Sequence, residues 1–159
     1  MKRRFLAAVL AGCLFLPVFA SCGGDSSGIP ADLTMIRDGS EYYTISNDDV
    51  FVTIDKEIGY IRTVKNRKND TVYKNPESGS WPFAIEYGLD RAEVSVSKSS
   101  NNRIDRVTAK KEGNEEALYV TYDNLKQDGA SAKETGISAT VRYALSENSN
   151  YFKMSVYLD

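Results

Sequence analysis

Ile137, Ala139, Val141, Tyr143 and Leu145 occupy every second position of one run, with Ser138, Thr140, Arg142 and Ala144 between them. A strand sends successive side chains to opposite faces, so this spacing buries one face and wets the other. The same period recurs along the chain. Val50, Val52 and Ile54 alternate with Phe51, Thr53 and Asp55, and Tyr60, Arg62 and Val64 with Ile61, Thr63 and Lys65. Phe152, Met154, Val156 and Leu158 alternate with Tyr151, Lys153, Ser155 and Tyr157. Strand formers also fill 71–73, 83–87, 92–98, 104–111 and 117–122, and no segment carries an apolar helical stripe of three turns. Asp55-Lys56-Glu57-Ile58-Gly59, Asn66 to Asp70 and Asn148-Ser149-Asn150 read as turns, and 75–80 as a loop broken by Pro76 and Gly79. Many short half-buried strands joined by tight turns predict an all-β antiparallel sandwich over 41–159.

The first residues follow a different rule. Lys2-Arg3-Arg4 precede an apolar run from Phe5 to Phe19, then Ala20-Ser21-Cys22, then the polar Gly23-Gly24-Asp25-Ser26-Ser27-Gly28. The run is short for a membrane span and its flanks are those of a cleaved leader. The order resembles a bacterial lipoprotein signal peptide over 1–21, which implies that Cys22 becomes a lipidated N-terminus followed by a flexible tether over 22–40. Leu10-Ala11-Gly12-Cys13 is a second match to the lipoprotein pattern, but cleavage there would leave Leu14-Phe15-Leu16 at the start of the mature chain. Secretion without lipid is a third reading. Each buried methylene of an acyl chain contributes ~0.8 kcal/mol, so two or more chains hold a protein firmly at a bilayer. The expected partner is therefore a membrane, and the expected location an extracytoplasmic face of the bacterial envelope. A tether of this length spans roughly 20–25 Å and carries one short apolar stretch at Leu33-Thr34-Met35-Ile36.

Charge and composition remove several functions. The 20 basic residues are balanced by 22 acidic ones, and loss of Lys2, Arg3 and Arg4 leaves an acidic mature chain. Nucleic-acid binding is not expected. Histidine is absent, which excludes a Ser-His-Asp triad, His-ligated zinc and a histidine pH switch. Past Cys22 there is no cysteine, so the sandwich relies on packing without a disulfide. Asp48-Asp49, and Asp123-Asn124 with Asp128, offer oxygens to calcium but lack EF-hand spacing; no metal or cofactor is expected. Asn69-Asp70-Thr71 matches a glycosylation acceptor, a match of no meaning in a bacterial lipoprotein.

The hairpin Tyr43-Thr44-Ile45-Ser46-Asn47-Asp48-Asp49-Val50 through Asp55-Lys56-Glu57-Ile58-Gly59-Tyr60 to Asn66 resembles the opening of galactose-mutarotase-like β-sandwiches. The closing segment from Tyr143 to Asp159 is similar to a later hairpin of the same sandwiches. Such domains open many large bacterial glycoside hydrolases and polysaccharide lyases. The resemblance implies a supersandwich-like fold, incomplete in this chain, in a carbohydrate setting. It also implies a downstream catalytic barrel that nothing here matches. Mutarotases use a histidine with a carboxylate, so that activity does not carry over. A strand ending at Asp159 without a closing turn adds the expectation of a longer parent protein.

Trp81 is the single tryptophan and lies between a Gly/Ser loop and Pro82. Sugars present C–H faces that stack on aromatic rings, so Trp81, with Tyr87 and Tyr60, is the candidate glycan-contacting set. Packing of Trp81 into the sandwich edge is the competing reading. Carboxylates are plentiful, but a glycosidase needs two across a cleft and the sequence singles out no pair. The expected function is a non-catalytic, glycan-contacting accessory domain. A protein-binding lipoprotein using a Tyr151–Asp159 edge and a glycosidase fragment active on its own are the alternatives.

Overall fold

The computed structural model describes residues 28–75, 81–89, 92–97, 100–129 and 133–159, with the side chains of 87–89 and 92–94 left out. The protein is an antiparallel β-sandwich with no α-helix among the described residues. The first sheet is a meander of β1 (Ile36–Asp38), β2 (Tyr42–Ser46), β3 (Val50–Asp55), β4 (Ile61–Asn66) and β5 (Val72–Lys74). A hairpin of β6 (Ile85–Leu89) and β7 (Ala92–Val96) follows. The second sheet is a meander of β8 (Arg106–Glu112), β9 (Glu115–Tyr122), β10 (Ala139–Ser146) and β11 (Lys153–Leu158).

The period-two pattern places the core. Ile45, Val52 and Ile54 of the first sheet meet Leu118, Val120, Tyr122, Val141, Tyr143 and Leu145 of the second, all essentially inaccessible to solvent. Burying a Val, Leu or Ile side chain contributes about 1.5–3 kcal/mol, and alternating strands on two facing sheets supply many such side chains. β4 departs from strict alternation. The β3–β4 register shifts between Thr53 and Ile54, so both Ile61 and Val64 pack toward the core. Ile61 was expected on the opposite face from Val64, and this bulge, which adds a residue to one strand, reverses it.

Polar side chains tie the turns. Asp55 Oδ1 accepts from the amides of Glu57 (2.8 Å) and Ile58 (2.9 Å), and Gly59 follows at φ +74°. Asn47 Oδ1 accepts from the amides of Asp49 and Val50, while its Nδ2 donates to the carbonyls of Ser146 (2.8 Å) and Ser149 (2.7 Å). One asparagine thus shapes the β2–β3 turn and fastens it to the β10–β11 turn across the sandwich.

Residues 28–40, expected as part of the tether, belong to the fold. Gly28 bridges Thr108 of β8, Met35 and Ile36 are buried, and β1 pairs with β2. The anchor is the buried Glu116 on β9. Its carboxylate accepts from the amides of Thr34 (2.9 Å), Met35 (2.8 Å) and Ile36 (3.1 Å), and from the Thr34 hydroxyl (3.1 Å). A segment rich in Gly, Ser and Asp reads as solvent-exposed. Its placement depends on an acceptor some 80 residues away.

Candidate functional site

Trp81 and Tyr60 converge although they lie on separate segments. With Asn75, Pro82, Tyr143 and Met154 they line a cleft of about 160 Å³. The cleft has little free aromatic face. The Trp81 ring packs on Phe83 and Tyr122 at centroid distances of 5.5 and 5.3 Å, and Phe83 meets Tyr122 edge-on at 5.4 Å. Trp81 Nε1 is buried without a hydrogen-bond partner among the described residues. Tyr60 is buried, and its hydroxyl accepts from Arg62 at 3.0 Å. The triad of rings closes one end of the core, the packing role weighed for Trp81 above. Tyr87 lies on β6 opposite Val94, and its side chain is outside the described residues, as is Cys22.

The turn between β10 and β11 builds a more open site that sequence reasoning did not single out. Tyr151 is 59 % exposed. It borders a cleft of about 240 Å³ with Asn114, Ser146, Asn148 and Asn150. It also borders a second cleft of about 400 Å³, with Lys65, Asn66, Asn150 and Phe152. Lys153 Nζ sits 5.7 Å from the ring centroid. Ligand sites usually occupy about 300–1,000 Å³, a range that admits the second cleft and excludes both the first and the Trp81 cleft. Each asparagine offers one acceptor and two donors on a planar fork. The available signal was Asn148-Ser149-Asn150-Tyr151, which read only as turn chemistry because the facing Asn66 and Asn114 come from distant segments.

The outer face of the second sheet carries the densest charge. Arg142 Nη2 bonds Glu112 (2.7 Å) and Glu115 (2.8 Å), the Tyr119 hydroxyl donates to Glu112 (2.6 Å), and Lys110 and Lys153 pair with Glu112 and Glu115. The Lys110 ammonium, the Tyr119 hydroxyl and the Arg142 guanidinium hold Glu112 down to about 2. Lys153 and Arg142 lower Glu115 as well. A glycosidase keeps one carboxyl protonated near neutrality, and both of these are driven the other way, so this pair is not an acid–base couple. Its contribution is to stability. A carboxylate lowered on folding stabilises fully above its unfolded pKa of about 4.3 and loses that contribution as pH falls toward 2. Urea titrations should therefore find stability declining from about pH 5 to pH 2, with a shallower decline in Arg142→Gln. An identical slope in the two proteins would refute this role.

Compared with known proteins, the chain matches no family model and no curated protein.

Proposed function

We propose that this protein is a lipid-anchored, extracytoplasmic β-sandwich that contacts glycan as a non-catalytic accessory domain of a carbohydrate-active protein. The observation that carries the reading is the exposed Tyr151 ring between two asparagine-lined clefts. A sugar has an apolar C–H face to stack on such a ring and a rim of hydroxyls to pair with amides. The leader ending at Cys22 supports the membrane address. The Trp81–Tyr60 cleft is a lesser contact, since its rings are engaged in packing.

A glycan array probed with the purified chain tests the contact. Tyr151→Ala should weaken the best ligand at least tenfold, the equivalent of about 1.4 kcal/mol, without shifting the melting temperature. No binding by the parent chain across a broad array would overturn the glycan reading. Labelled acyl incorporation that survives Cys13→Ala and vanishes with Cys22→Ala would support the anchor, and labelling that persists without Cys22 would refute it.

One observation favours a second reading, a protein-assembly module. Met154, Val156, Tyr157 and Leu158 of the edge strand β11 are all exposed.

A further inference from the structure

The hydrogen-bonding groups of β11 face two ways, and β10, its one neighbour among the described residues, sets which. Asp159 and Ser138 exchange both backbone bonds, at 3.0 and 2.9 Å. Hydrogen-bonded pairs alternate along an antiparallel ladder. Lys153, Ser155 and Tyr157 therefore bond β10, while the N–H and C=O groups of Met154, Val156 and Leu158 point off the sheet edge. The same three residues carry their side chains on the core-side face, opposite Tyr143, Val141 and Ala139. They are nevertheless 38, 40 and 53 % exposed. A row of open backbone groups beside a row of apolar side chains is a template for another strand.

The complement to this edge is the edge itself. Two antiparallel copies centred on Val156 set Val156 against Val156, Met154 against Leu158, and Lys153 against Asp159. In this register the outward-pointing groups of Met154, Val156 and Leu158 meet as hydrogen-bonded pairs. The apolar residues share one face, and the two Lys–Asp pairs lie on the other, where each Lys153 ammonium would be shared with Glu115 of its own copy. Sliding one copy by two residues breaks both charge pairs. Sliding by one sets apolar residues against polar ones. We propose that two copies of this chain pair β11 to β11 about a two-fold axis, fusing two four-stranded sheets into one of eight strands. Such an interface is small and correspondingly weak, and it does not depend on the glycan reading.

Cross-linking tests the register. In the full chain carrying Cys13→Ser and Cys22→Ser, Val156→Cys places two thiols on a pair with Cα atoms about 5.5 Å apart, within disulfide reach. Met154→Cys places its two copies about 13 Å apart, four residues along the strand. Oxidation should trap a dimer at position 156 and none at 154; equal trapping at both, or none at 156, overturns the proposal. Sedimentation of the otherwise unaltered chain should reveal a concentration-dependent dimer that Val156→Lys, which opposes two ammonium groups, abolishes. A monomer up to millimolar concentration, a dimer that persists in Val156→Lys, or an edge filled by a foreign protein while the chain stays monomeric would each refute it.

Discussion

Gly59→Ala should be among the most destabilising single-methyl additions in this protein. Gly59 sits at φ +74°, where a β-carbon adds about 1–2 kcal/mol of backbone strain. The added carbon would lie 2.1 Å from the Tyr122 hydroxyl oxygen and 3.1 Å from Val120 Cγ1. Neither neighbour can yield easily. Tyr122 is fully buried, and its hydroxyl donates to the Ile58 carbonyl at 2.8 Å. Displacing it leaves a buried hydroxyl and carbonyl unpaired, worth about 1–3 kcal/mol more. The Gly59 carbonyl also accepts from Tyr143 at 2.6 Å, so movement of the turn strains a second core tyrosine. The sum is roughly 2–5 kcal/mol, a large share of the ~5–15 kcal/mol that holds a domain together. Chemical denaturation measures it. Tyr122→Phe removes the clashing oxygen, so Gly59→Ala should be milder on that background than alone. A loss below about 1 kcal/mol for Gly59→Ala, or strict additivity with Tyr122→Phe, would contradict the packing described.

Glu116→Ala should release the first strand. The Glu116 carboxylate takes three amides and one hydroxyl from Thr34, Met35 and Ile36, and two of those amides are buried. Removing an acceptor from buried donors leaves their desolvation uncompensated, about 3–5 kcal/mol for a group this highly coordinated. Glu116→Gln should rescue in part. With its oxygen on the Met35 and Ile36 amides it turns an NH2 group toward the Thr34 N–H, which then lacks its acceptor. β1 is a three-residue edge strand, so the loss falls first on residues 28–38. The Met35 and Ile36 amides should exchange with solvent roughly a hundredfold faster, matching about 3 kcal/mol. Unchanged protection at both amides in Glu116→Ala would show that β1 is held by other means.

The two predictions rest on residues of opposite legibility. Gly59 closes a recognisable Asp-to-Gly turn, so its positive φ was readable locally. Glu116 follows another glutamate in a strand-forming run and reads as surface charge. Nothing nearby in sequence reveals that its oxygens meet the amides of residues 34–36. The candidate site divides the same way. Trp81 and Tyr60 stood out by residue type and do share a cleft, but only the folded structure packs the Trp81 ring on Phe83 and Tyr122 and engages the Tyr60 hydroxyl with Arg62. Tyr151 was one tyrosine among ten until the end of β4 and the β8–β9 turn brought Asn66 and Asn114 around it.

Strand alternation and turn chemistry operate within a few residues, and they were sufficient to define the all-β antiparallel class, most strand positions and the inward faces of β3 and β10. Tertiary contact decided the rest. It drew residues 28–40 into the fold, reversed the face of Ile61 through a bulge, and left the inward side chains of β11 open to solvent. Local periodicity records which side of a strand is apolar, whereas what lies across from that side depends on segments scores of residues away.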